Sequence, residues 1–154
     1  MSVRIEPRPI LFNKDNRHPD MLLNDRGIQT YVDVTVTHPL APSHIRVHPT
    51  QLQMTEAAEQ RKMKQYQEFA AKERAEFLPF AVETLGGFGK CALRLVDQIT
   101  ESGMQASALS TSIYTPQEIR AGLLGAVAIA VQRGNSRIMS EGHRKLMNQV
   151  ARSR

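Results

Sequence analysis

His18-Pro19-Asp20-Met21-Leu22-Leu23-Asn24-Asp25-Arg26-Gly27-Ile28-Gln29-Thr30-Tyr31-Val32-Asp33-Val34-Thr35-Val36-Thr37 is the stretch on which the fold turns. Met21-Leu22-Leu23 is a short apolar strand, and Asn24–Gly27 is a turn cluster in which Gly27 can take positive φ. From Ile28 to Thr37 the residues alternate, with Val32, Val34 and Val36 on one side and Asp33, Thr35 and Thr37 on the other. A β-hairpin follows. Folding about the turn sets residue 20 opposite residue 31 and Asp33 diagonal to Asp20, within reach of a cross-strand neighbour.

Outward from the hairpin, Val3 to Leu11 reads as a strand that Pro7 and Pro9 confine to a sheet edge. Downstream, His38-Pro39-Leu40-Ala41-Pro42 ends the second hairpin strand. Gln51 to Arg74 holds no Gly or Pro and is rich in strong helix formers, which predicts a long helix. Phe77 to Val82 is a returning strand. Gly86-Gly87-Phe88-Gly89 turns into a helix carrying Leu93, Leu95, Val96 and Ile99, and Ser102 to Ser112 reads as a linker. Thr115-Pro116-Gln117-Glu118 has the form of a capping box. The helix it opens is apolar nearly all round from Ile119 to Val131, which predicts burial. Gly134 is expected to stop it, before a last basic helix with Arg137, His143, Arg144 and Lys145. Strands clustered early with one helix between the third and fourth give an α/β (α+β) fold. A central mixed sheet of about four strands is flanked by helices, as residues 1–105, with a helical C-terminal extension packed on it, residues 106–154.

The 154 residues carry a formal charge of +5, which favours polyanions. Aromatic residues make up 5% with no Trp, so any base-stacking platform is small. Lone Cys91 excludes internal disulfides and a cysteine zinc knuckle. No apolar h-region opens the chain, and the apolar run from Leu123 to Val131 falls short of the ~20 residues of a membrane span. The expectation is an intracellular protein without membrane contact.

Two facing carboxylates repel unless a cation lies between them, and a hard divalent ion needs few protein oxygens. Asp20 and Asp33 are therefore candidate metal ligands. Taken alone, the pair equally fits a turn cap and a solvated edge-strand residue. On a helical wheel Lys62, Tyr66, Phe69 and Ala70 share one face, which puts a lysine on the inward stripe, while Lys64 lies nearly opposite. An inward Lys62 can neutralise the aspartates or a phosphate; snorkelling past the helix edge is the alternative. Glu83 either approaches a metal or phosphate or accepts hydrogen bonds from the glycine turn. Gly86-Gly87-Phe88-Gly89-Lys90 lacks the spacing of a phosphate-binding loop, and His18, His38, His44 and His48 match no common zinc spacing.

In their order, Pro19-Asp20, Asp33-Val34-Thr35-Val36, Lys62-Met63-Lys64-Gln65-Tyr66 and Phe80-Ala81-Val82-Glu83-Thr84-Leu85-Gly86 resemble the PD-(D/E)XK restriction-like endonucleases. In particular they are similar to the C-terminal endonuclease domain of site-specific non-LTR retrotransposon proteins. Val131-Gln132-Arg133-Gly134-Asn135 resembles the tail of such open reading frames. The resemblance implies Mg²⁺-dependent (or Mn²⁺-dependent) hydrolysis of a DNA strand. Asp20 and Asp33 would be ligands, Lys62, Thr35 and Glu83 further catalytic groups, and Lys64, Tyr66, Lys90, Arg144 and Lys145 DNA contacts. It also implies a reverse transcriptase in a parent polypeptide, and the nucleus if the host is a eukaryote. One departure matters: the family's strand lysine, two residues after the second acid, is Thr35 here, so Lys62 would supply that charge from the helix. Glu6 is the candidate for an upstream acid. Three functions follow: a DNA endonuclease, an inactive nuclease fold that binds DNA, and a structural or oligomerisation module that forms a homodimer through the C-terminal helices.

Overall fold

The computed structural model describes residues 1–7, 18–41, 52–107 and 114–152. Four strands form one sheet: β1 (Ser2–Ile5), β2 (Met21–Asp25), β3 (Ile28–Thr37) and β4 (Glu76–Glu83). Their order is β1-β2-β3-β4, with β1, β2 and β3 antiparallel and β4 parallel to β3. A parallel neighbour needs a crossover, and α1 (Gln53–Lys72) supplies it. Helices α2 (Lys90–Ser107) and α3 (Pro116–Arg152) follow. This is the α+β mixed sheet expected from the strand and helix order.

The period-two alternation of β3 divides the molecule. On one face, Tyr31 packs with Phe77 of β4 and with Tyr66 and Ala70 of α1. On the other, Val32, Leu78, Phe80 and Leu23 pack with Ala92, Leu95 and Val96 of α2, and Leu123, Leu124 and Val127 of α3 close over them. Positions 92, 95, 96 and 99 recur at helical spacing, so α2 presents one apolar stripe to the sheet. The larger of these, Leu95 and Val96, each contribute about 1.5–3 kcal/mol by burial. Pro79 is fully buried in β4 and is tolerated because β4 is an edge strand.

Several boundaries differ from expectation. The hairpin register pairs Met21 with Val32 and Leu22 with Tyr31. Extended one step, it sets Asp20 directly opposite Asp33 rather than opposite residue 31. The turn is tighter than the full Asn24–Gly27 cluster: Asp25 still pairs with Ile28, leaving Arg26 and Gly27 at positive φ in a two-residue loop. β1 ends at Ile5, and residues 8–11 of the expected strand lie outside the described residues, as do Gln51 and 108–113. Residues 102–107, expected in a linker, continue α2 as helix.

The larger correction is α3. Gly134 does not stop it; the helix runs unbroken for 37 residues, about 55 Å. Its first half is half-buried or exposed rather than buried, and its second half is exposed apart from half-buried Asn135. The capping box is present: Thr115 N donates to Glu118 Oε2 at 2.7 Å and Glu118 N to Thr115 Oγ1 at 3.2 Å. A glycine ends a helix when the chain there turns left-handed; inside a helix it is only a weak former. No atom lies within 4 Å of where a Gly134 Cβ would stand. Gly134→Ala should therefore raise unfolding stability by about 0.5–1 kcal/mol, measured by chemical denaturation. A fall in stability would mean that the helix breaks there.

Candidate active site

Asp33 sits on β3, an inner strand, with its residue 4% exposed. Its parity points it at α1. There the wheel that put Lys62 inward holds: Lys62 Nζ lies 2.7 Å from Asp33 Oδ2, with the lysine side chain 21% exposed. Tyr66, one turn on, hydrogen-bonds the same carboxylate. The Lys62 ammonium also stands 5.6 Å from the Tyr66 ring centroid, and that ring packs against Phe77 at 5.1 Å.

Asp20 approaches from β2. It is exposed, preceded by fully buried Pro19, and its Oδ2 accepts a hydrogen bond from Val34 N at 2.6 Å. That bond uses one carboxylate oxygen to hold Asp20 on the edge of β3, beside Asp33. Burial pushes the Asp33 carboxyl above its ordinary pKa, and the Asp20 carboxylate adds to the rise; Lys62 and Tyr66 oppose it. Two negative groups that repel across neighbouring strands are a fitting seat for a divalent cation. Asp20 and Asp33 would hold Mg²⁺ or Mn²⁺, with water completing the shell. Among the described residues no three acidic, His or Cys side chains group into a metal site. Glu6 comes next in the row, its backbone N donating to Asp20 O at 2.8 Å, but its side chain is exposed.

Thr35 and Thr37 share the Asp33 face. Both hydroxyls are buried and neither has a hydrogen-bond partner among the described residues. Thr35, one step along the face from Asp33, is placed to bond a water there. Glu83 pairs with Thr37 across β3 and β4 and so lies on the same face. It is four residues further along than the position opposite Asp33, about 13 Å away. Its backbone closes the glycine turn instead: Glu83 N donates to Gly87 O at 2.7 Å.

The expected DNA contacts separate. Lys64 is exposed on the outer side of α1, beside Arg61 in a shallow groove. Lys90 is exposed at the start of α2 and 3.4 Å from Glu56. Tyr66 is a correction: at 4% exposure it is a core residue rather than a surface one, and it supports Asp33 from α1, the same side as Lys62. Arg144 and Lys145 are exposed in the distal half of α3, on the sheet's other side from α1.

One buried carboxylate went unnoticed in the sequence. Glu59 is 6% exposed and accepts hydrogen bonds from Cys91 N at 2.9 Å and Ala92 N at 3.4 Å, capping α2 from another helix. A methyl group on Gly89 would collide with its carboxylate, which explains that glycine. The signal was available: Glu59, Lys62 and Tyr66 share the inward stripe of α1. Comparison with protein-family models, with curated proteins and with solved structures finds no match.

Lys62→Met would leave the Asp33 carboxyl buried with no cation. The folded-state pKa then rises further above the unfolded value. The penalty is full above the folded pKa, shrinks as pH falls through it, and vanishes below the unfolded value near about 4. Because Lys62 is partly exposed, the expected loss at pH 7 is about 2–3 kcal/mol, less than for a fully buried pair. Melting curves of both proteins should converge as pH drops towards 4; a gap constant with pH would remove the ion pair's role.

Proposed function

We propose that this protein is a metal-dependent DNA endonuclease of restriction-endonuclease-like architecture, related to retroelement endonuclease domains. The observation that carries the reading is the Lys62–Asp33 contact at 2.7 Å with Asp20 opposite, three charges on one sheet face. A lone inward lysine on α1 could have served only packing; its placement against a strand carboxylate gives it a chemical task.

When bound between Asp20 and Asp33, a divalent cation would supply Lewis-acid stabilisation of phosphate charge and activation of water. The chain's own groups do the rest. Asp20 is oriented by Val34 N and Asp33 by Tyr66 and Lys62, so neither carboxylate must reorganise. Lys62, with a fifth of its side chain open to solvent, can extend its ammonium to a non-bridging phosphate oxygen. Thr35 Oγ1 accepts or donates a hydrogen bond to a water on the strand face. In the hydrolysis, that water's oxygen would form a bond to phosphorus and give up a proton to solvent, the bond to the leaving sugar oxygen would break, and the leaving oxygen would take up a proton from solvent. Lys64 and Arg61, on the rim of α1, meet flanking phosphates through charge alone.

A second reading, a nuclease fold that binds DNA without cutting it, draws on the absence of a third carboxylate beside Asp20 and Asp33 among the described residues. One assay separates the two. Supercoiled plasmid incubated with the protein and Mg²⁺ or Mn²⁺ should be nicked, and EDTA should stop it. Asp33→Ala and Asp20→Ala should each lower the rate by more than about 100-fold, since even outer partners of metal sites cost up to that. Equal nicking by wild type and Asp33→Ala would sink the assignment. Salt-sensitive DNA binding with no nicking in either metal would favour the second reading.

A further inference from the structure

The face of the sheet opposite the Asp33 site is only partly covered by α2 and α3. Between β3, β4, α2 and α3 runs a groove of about 520 Å³ lined almost wholly by carbon, including Val34, Val36, Phe80, Val127, Val131 and Ile138. Val34 and Val36 are 40% and 53% exposed there. The distal half of α3 continues this apolar surface into solvent, with Ile138 at 71% and Met139 at 74% exposure. Apolar exposure on this scale marks an interface.

Charge and periodicity identify the occupant. Leu124, Val131 and Ile138 recur every seven residues, with Val127 and Gly134 between them, the seam spacing of a two-helix coiled coil; Leu124 and Val127 also pack on the domain's own core and are half-buried, and Ile138 is exposed. From Arg133 to Lys145 the helix carries Arg133, Arg137, Arg144 and Lys145 against one acid, Glu141. At the other end Glu118 opens α3, and Glu101 of α2 is exposed; Asp97 of α2 bonds Arg120 at 2.7 Å, which shows that α2 lies along this first half. Around the start of α3, Asp97, Glu101 and Glu118 thus outnumber Arg120, while the distal half of the helix is basic.

We propose that this face binds a second copy of the chain, with the two α3 helices antiparallel and crossing near Val131. Positions equidistant from Val131 then meet: Ile138 faces the partner copy's Leu124 position, Met139 its Leu123 position, and Arg144 its Glu118 position. Opposed helix dipoles add to the attraction. A parallel pair would instead set the basic halves side by side. Some 30 residues overlap, about 45 Å of helix roughly 10 Å across. With the sheet wall at Val34 and Val36 this covers on the order of 600 Å² per copy, the lower end of a stable specific interface. The partner's apolar side chains fill the groove, and the Asp33 face of each copy stays open. The inference does not depend on the nuclease reading.

Sedimentation equilibrium of the full chain at micromolar concentration tests it. Wild type should be a dimer that weakens with added salt. Ile138→Glu/Met139→Glu and, separately, Arg144→Glu/Lys145→Glu should each weaken it by at least about tenfold, with helicity by circular dichroism unchanged because these side chains are exposed. The two variants act through different chemistry, so misfolding of one leaves the other decisive. In a Cys91→Ala background, a mixture of Glu118→Cys and Arg144→Cys chains should cross-link to each other, and Arg144→Cys alone should not. A monomeric wild type, a dimer indifferent to both variants, or self-linked Arg144→Cys would each overturn the proposal.

Discussion

A carboxylate buried on an inner strand constrains everything around it. Ionising Asp33 there is disfavoured without a counter-charge, since desolvation raises its pKa and Asp20 opposite adds to the rise. The sheet itself offers no cation at that point: the β4 residue paired with Asp33 is Pro79. The charge must come from above, and α1 is the element above. Its inward stripe cannot then be wholly apolar, and Lys62, with Glu59 one turn before it, departs from that pattern.

A helix that must set one ammonium beside one carboxylate has little rotational freedom, because each residue turns it by about 100°. Two grips fix the angle. One is apolar: Tyr66 and Ala70 lie against Tyr31 and Phe77 beyond the ion pair. The other is polar, one turn before it, where Glu59 holds the first amides of α2. Lys62 lies between them. The glycine turn belongs to this device, because Gly89 clears room for Glu59 and Gly87 clears room for Leu52, whose Cδ2 would stand 2.6 Å from an added methyl. Those glycines do not cradle phosphate; they let the start of α2 come close enough to be gripped.

How much of this was legible in the sequence depended on whether the signal was local. Alternation in β3 and the unbroken run of helix formers in α1 are local patterns, and both elements formed where expected. The inward Lys62 was legible for the same reason, being a matter of spacing along one helix. The register was not, because residue counting across a turn does not say how many turn residues pair. Asp25 pairs with Ile28, which slid Asp20 two places, onto Asp33. Glu83 misled because strand parity puts it on the right face, whereas distance along the strand separates it from Asp33. For Tyr66 the wheel, which put it on the inward stripe, and the resemblance, which made it a DNA contact, disagreed, and the structure follows the wheel. Gly134 carried a stop signal by composition, yet a glycine stops a helix only where neighbouring contacts favour the turn, and α3 has no such contacts there.

The two faces of the sheet solve different problems, and β3 shows why they can be kept apart. Asp33, Thr35 and Thr37 leave one side with charge and unpaired hydroxyls that need α1, water or a ligand. Val32, Val34 and Val36 leave the other side with carbon. The sheet passes no side chain from one face to the other, so filling the apolar side changes the polar side only through backbone position. Yet α2 and α3 cover the valines unequally: Val32 is fully buried, while Val34 and Val36 are not. A helix of about 55 Å against strands of ten residues or fewer must overhang, and its overhanging half carries the apolar and basic side chains that the domain does not cover. An overhang that length is out of proportion to the core it closes. Its seven-residue apolar spacing and basic distal half are the features on which the proposed pairing with a second copy rests.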